Sequence, residues 1–312
     1  MAGADGVRGT WTAADWVVLP TVDRQQLRST ASVLAAVGRA LRGVNWHLKG
    51  STALLGWLGP TARMPDDVDL AVPADIGHEL LRAADLPPGP DGAHVRLLRT
   101  EPVVFSSPGR AAVHRALVGV RHERADARVL LNVLLVPETG AARDARTAPL
   151  AFPLDAGSVV TVPTATLSRC LAQKLLRYAR RREAGKINTR WADLADFLIA
   201  ATSPRAPKLV LEELRRDVAV EFAAMGRDWP TTLPPPPLEW LDFWDTATFR
   251  AGWPFGRLPE AVARLAGFWE PVLEVPAEPY GPEGAAPCGP ADTTACGPAR
   301  VWSPGAWEWG VG

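Results

Sequence analysis

Cysteine is scarce: Cys170, Cys288 and Cys296 are the only three in 312 residues. Their odd number and spacing match neither a zinc site nor a disulfide framework, which sets redox chemistry aside. Long apolar runs are missing as well. None approaches the roughly 18 to 20 residues that a membrane span requires, so no membrane partner is expected. The opening stretch MAGADGVRGTWTAADW has no basic segment followed by an apolar one, and the expected location is the cytoplasm. Net charge is absent too: 34 basic and 34 acidic residues sum to zero. No field over the whole surface draws in nucleic acid, although a local patch can still bind phosphate. Lysine is the rarest charged residue, present only at Lys49, Lys174, Lys186 and Lys208, so each position becomes a clue. The five histidines show no ligand spacing.

What is present is apolar residue in quantity, 47% of the chain, enough for a large core and one or two domains. Apolar positions recur at helical spacing over 23–42. A short strand is expected over 44–48, a helix over 50–58 closed by Gly59-Pro60, a strand over 68–72 and a helix over 74–84. From 94 to 136 the pattern becomes short β-like runs separated by turn residues, and SVVTV before Pro163 adds a further strand. Helices then dominate, over 165–183, 189–201, 209–225 and 259–269. LPPPPLEW breaks that series and reads as a polyproline-like connector. The expected class is α+β. A mixed β-sheet core with helices spans 1–162, a helical part spans 163–275, and a Pro/Gly-rich tail over 276–312 is expected to be disordered. Trp302, Trp307 and Trp309 are unusual for such a tail and are candidates for docking on the body or on a partner.

The stretch LKGSTALLGWLGPTARMPDDVDLAV, residues 48–72, carries the chemistry. Strand side chains alternate, so Val68, Leu70 and Val72 face the core while Asp67 and Asp69 share the other face, with Cα atoms about 7 Å apart. Two anions held that close repel. A divalent cation relieves the conflict, and Mg²⁺ prefers one or two carboxylates completed by water and substrate phosphates. Gly50 lets the backbone approach a ligand closely, Ser51 adds a hydroxyl, and the helix that follows presents unpaired N–H groups to an anion. A phosphate at Gly50-Ser51 beside a metal at Asp67 and Asp69 suits a nucleoside triphosphate (NTP). Taken singly, the Gly-Ser pair is an ordinary capped turn and PDDVDL a solvated edge strand.

With strand, Gly-Ser turn, helix and Asp-x-Asp strand in this order, the stretch resembles the core of the nucleotidyltransferase superfamily, and specifically the AbiEii/AbiGii-type toxin nucleotidyltransferases. The matching positions are Lys49, Gly50, Ser51, Thr52, Ala53 and Leu54, then Arg63, Asp67 and Asp69. The resemblance implies nucleotide binding by Lys49, Gly50, Ser51, Thr52 and Arg63 and catalysis at Asp67 and Asp69 with Mg²⁺ or Mn²⁺. The implied reaction transfers a nucleoside monophosphate from an NTP to an acceptor hydroxyl, with tRNA or another RNA as acceptor. It further implies a toxin paired with a cognate antitoxin. Two alternatives stay open: a small-molecule nucleotidyltransferase of the aminoglycoside-modifying kind, and a catalytically silent nucleotide-binding protein.

A second constellation lies in the helical part. Leu167, Leu171, Lys174 and Tyr178 fall in one sector of a helix, placing a lysine in an apolar stripe. Such an ammonium must snorkel outward, pair with a carboxylate or meet an anionic ligand. RWADLADFL sets Asp193 and Asp196 on one face of the next helix. Together these resemble the family's distal motif, which implies that Lys174 contacts the triphosphate and that Asp193 and Asp196 orient it or move a proton. Arg177, Arg180, Arg181 and Arg182 form either a solvated face or a grip on an RNA backbone.

Nucleotidyltransferases of this superfamily commonly carry a third carboxylate on a later strand. Here RVLLNVLLV offers Asn132, whose carbonyl can ligate Mg²⁺ but whose amide accepts no proton at neutral pH. Either Asn132 is a weak third ligand with Asp193 or Asp196 as base, or another carboxylate such as Asp126 or Glu138 reaches in, or the enzyme is slow or inactive. A buried asparagine with satisfied hydrogen bonds is the structural alternative.

Overall fold

In a computed structural model of the chain, the residues described are 11–103, 112–123, 125–137, 146–180, 190–274 and 299–311. They divide between two compact units, Met1–Thr166 and Leu167–Gly312.

Unit 1 is built on an eight-stranded mixed sheet in the order β3-β4-β5-β6-β2-β1-β8-β7. Its helices are α1 (Ala13–Val18), α2 (Thr21–Ala40), α3 (Gly50–Leu58) and α4 (Ala74–Arg82). Its strands are β1 (His47–Lys49), β2 (Asp67–Pro73), β3 (Asp85–Leu86), β4 (His94–Val103), β5 (Val113–His122), β6 (Ala125–Val136), β7 (Thr147–Pro153) and β8 (Val159–Ala165). β2 runs parallel to β6 and antiparallel to β1. Period-two alternation sends Val68, Leu70 and Val72 of β2 and Leu131, Val133 and Leu135 of β6 into the core, all nearly fully buried. α2 packs against β5, β6, β7 and β8. Its apolar stripe, including Leu27, Val33, Leu34 and Val37, is buried, the face that a 3.6-residue period dictates.

Three elements of unit 1 escaped the sequence pattern: α1, the two-residue β3 and β7. α1 is capped by Thr12, whose hydroxyl accepts from Asp15 N–H while the Asp15 carboxylate accepts from Thr12 N–H. β7 contains Pro149 and Pro153, which argue against a strand, yet it lies at the sheet edge, where a missing N–H leaves no ladder bond unmade.

Unit 2 is helical: α5 (Leu167–Tyr178), α6 (Trp191–Thr202), α7 (Leu211–Ala224), α8 (Trp240–Ala251) and α9 (Leu258–Leu273). Ser168 of α5 donates to Asp217 of α7 at 2.6 Å, and Arg169 pairs with Glu221 at 2.9 Å. The proline run is not a free connector, because the Tyr178 hydroxyl donates to the Pro234 carbonyl at 2.7 Å and α8, absent from the sequence pattern, begins three residues after Pro237. Burial pushes the Tyr178 hydroxyl well above the usual phenol range.

The tail departs from the expected disorder at its end. β9 (Arg300–Ser303) and β10 (Glu308–Val311) form an antiparallel hairpin. Trp302, Trp307 and Trp309 donate their indole N–H groups to the carbonyls of Ala201, Arg264 and Phe268. Trp302 also meets the Phe268 ring edge-on, with centroids 4.8 Å apart. Three aromatic side chains, each with a satisfied polar handle, supply the burial that the surrounding composition does not. Residues 275–298, with Cys288 and Cys296, lie outside the described residues, as do Glu138, Arg181 and Arg182. Cys170 is a buried thiol on α5. Among the described residues no helix is long and apolar enough to cross a membrane.

Candidate active site

The candidate site of unit 1 begins with register. Lys49 of β1 stands opposite Asp69 of β2, Asp69 opposite Asn132 of β6, and Asn132 opposite Arg115 of β5. Directly paired residues point to the same side, so one row across four strands carries Lys49, Asp69, Asn132 and Arg115. Asp67 lies two residues before Asp69 on the same face. Both carboxylates and Asn132 are half-buried, away from the core face that β2 shares with β6.

The glycine turn closes on this row. Gly50 has φ +72°, a left-handed conformation that side chains other than hydrogen disfavour. A Cβ at Gly50 would lie 2.1 Å from Asp69 Oδ2. Glycine is required there twice over, by backbone conformation and by the close approach of the carboxylate. Thr52, fully buried, donates its hydroxyl to the Asp67 carbonyl at 2.6 Å and so ties the first turn of α3 to β2. The hydroxyl proton of Thr52 is thus committed to the backbone of β2. Ser51 accepts from Arg63 Nη2 at 2.7 Å. Lys49, Gly50, Ser51, Arg63, Asp67 and Asp69 are therefore gathered in one region of unit 1.

Asn132 sits differently from the expectation. Its Nδ2 donates to Asp67 Oδ2 at 2.8 Å and to Asp69 Oδ1 at 3.0 Å, while its carbonyl faces Arg115 Nε at 3.5 Å. The amide nitrogen, which cannot ligate a hard cation, is the atom turned to the acids, so a third-ligand role for the carbonyl has no geometric support. Asp126 does not reach in either. It lies six residues away along β6, about 20 Å by strand rise, and pairs with Arg121 at 3.2 Å. Arg115, at the end of the row, gave no signal in the sequence; only strand register brings it beside Asn132.

Unit 2 gathers the second constellation into a buried ion network. Lys174 is 0% exposed; its ammonium lies 2.6 Å from Asp196 and 3.0 Å from Asp193. Arg177 Nη2 donates to Asp193 at 3.1 Å. Of the three fates open to a lysine in an apolar stripe, pairing with carboxylates is the one observed. Burial pushes the Asp193 carboxyl upward, but Lys174 and Arg177 outweigh it and hold the group below its ordinary range.

Two hard oxygen donors on one strand face, beside a helix N-terminus and a serine hydroxyl, can hold a divalent cation and a phosphate chain. Comparison with known proteins gives this arrangement its class. Residues 32–250 match the model of the family described as nucleotidyl transferase AbiEii toxin, type IV toxin–antitoxin system, and the chain belongs to that family. It is a nucleotidyltransferase of the toxin–antitoxin kind. Among solved structures it is similar to JHP933 from Helicobacter pylori, at 15% identity and TM-score 0.42, over 80% of this chain and 93% of that one. It is also similar to a candidate nucleotidyltransferase from H. pylori, at 14% identity and TM-score 0.40, over 82% and 96%. No curated protein matches the sequence.

Proposed function

We propose that this chain transfers a nucleoside monophosphate from an NTP to the hydroxyl of an RNA acceptor, such as a tRNA, with release of pyrophosphate. The observation that carries the reading is the approach of Asp69 to Gly50, which brings an acid pair and a phosphate cradle to one place. A Mg²⁺ or Mn²⁺ ion, when bound, would neutralise charge on the phosphoryl group being transferred and activate the attacking oxygen. Asp67 and Asp69 would hold it. Among the described residues no three His, Cys, Asp or Glu side chains come together, so water and phosphate oxygens would complete the coordination, as Mg²⁺ prefers. Gly50 and the N-terminus of α3 would cradle the triphosphate, with Ser51 oriented by Arg63 and Lys49 on the same face. The toxin–antitoxin family makes a cognate antitoxin the expected partner.

Burial and mutual pairing favour a structural role for Lys174, Asp193 and Asp196 over the phosphate contact and proton transfer that the family resemblance implies. Asn132 supports a second reading, binding without turnover, because it places an amide where a carboxylate could have accepted a proton. One assay separates the readings. The full-length protein is incubated with each labelled NTP, Mg²⁺ and either total RNA or an aminoglycoside. Label in RNA is expected, reduced at least ~100-fold in Asp69→Asn. Label in the antibiotic instead gives the small-molecule enzyme, and NTP binding with no label transferred gives the silent one.

A further inference from the structure

The amide of Asn132 is oriented from two sides. Its nitrogen meets Asp67 Oδ2 and Asp69 Oδ1, and its carbonyl meets the Arg115 guanidinium. Turned over, it would set an oxygen against two anions and an NH₂ group against a cation, so electrostatics fixes the orientation. The oxygen of Asp69 that Asn132 does not touch, Oδ2, is the one beside Gly50. Asp69 therefore has one oxygen on the amide and one directed at the start of α3.

We infer that Asn132 is a positioning residue: a neutral latch that holds Asp67 and Asp69 together before any cation arrives and limits how tightly a divalent cation then binds. The second half rests on the cation-dependent reading above; the first half does not. Two carboxylates on one strand face repel, and without a partner they rotate apart toward water. An amide with two N–H donors satisfies one oxygen of each through charge-assisted bonds, yet leaves the charge of the pair unaltered. A carboxylate in the same place would add charge and strengthen the hold on a hard cation, because affinity rises with the number of charged ligands. It would also set a third anion against the two acids in the cation-free protein. The amide thus preforms the pair at the expense of cation affinity.

The test uses the full chain as wild type and as Asn132→Ala, Asn132→Asp and Asn132→Ser. Mn²⁺ affinity is measured by calorimetric titration without nucleotide, and thermal unfolding is followed in EDTA and in saturating Mn²⁺. Asn132→Asp is expected to bind Mn²⁺ roughly tenfold more tightly than wild type. In EDTA, Asn132→Ala and Asn132→Asp are expected to melt about 3 °C below wild type. Saturating Mn²⁺ should close that gap, because the bound cation takes over the holding of the acids. Asn132→Ser, which keeps one donor, falls between and carries the test if the other two variants do not fold. Unaltered Mn²⁺ affinity together with a melting gap of equal size in EDTA and in Mn²⁺ overturns the latch, leaving Asn132 as packing. Absence of Mn²⁺ binding in every protein, with the EDTA gap present, removes the cation from the proposed function and upholds the holding of the acids.

Discussion

Each unit holds two aspartates together, and they do it in opposite ways. In unit 2, Asp193 and Asp196 are buried and neutralised from within by Lys174 and Arg177. In unit 1, Asp67 and Asp69 are half-buried and both accept from one uncharged amide. A pair supplied with built-in cations has little need of one from outside, whereas a pair held by a neutral donor keeps its attraction for one. The two arrangements differ in chemistry, although both read as paired acids in the sequence.

The largest effect is expected from Lys174→Met. It removes the ammonium that meets both buried carboxylates and should cost about 3–5 kcal/mol in urea unfolding. A variant that unfolds like wild type but transfers no nucleotide would break the comparison and return Lys174 to the triphosphate. A smaller loss is expected from Gly50→Ala, where left-handed strain costs roughly 1–2 kcal/mol and the new Cβ displaces Asp69. Stability should fall modestly while Mn²⁺ binding and transfer are lost, and retention of both would separate the turn from the acids. The smallest effect is a pH dependence. Asp193 lies below its ordinary value of 3.8 in the folded chain, so its contribution is fully present above that value and is lost as pH falls through the folded one. Asp193→Asn should therefore be less stable than wild type at neutral pH, with the gap narrowing only below about pH 4. A gap that is constant with pH would mean that charge plays no part in the network.

Much of the scaffold was legible because burial leaves its period in the sequence. Alternation marked β2 and the strands from 94 to 136, and apolar spacing marked α2, α5, α6 and α7. The turn at Gly50 and the helix bounded by Gly59-Pro60 followed from residue chemistry at their ends. Three of the missed elements share a cause: β7 is an edge strand that tolerates proline, α8 follows a proline run, and the terminal hairpin depends on three tryptophans whose partners lie on α6 and α9. Their stability comes from contacts distant in sequence, which local pattern does not encode. The bond of Thr52 was hidden for the same reason, since only the return of β2 beside α3 supplies the Asp67 carbonyl to which its hydroxyl donates.

Sequence alone determined that Asp67 and Asp69 share a face, because a strand alternates side chains with period two. It also required Lys174 to find a partner, because an apolar stripe makes a lone ammonium costly. Only the tertiary structure decided that Asn132 turns its nitrogen to the acids, that Arg115 holds its carbonyl, and that Lys174 is neutralised by Asp193 and Asp196. The reason is physical: hydrogen-bond partners across strands and helices are chosen by register and packing, and those are set by the whole core rather than by neighbours along the chain.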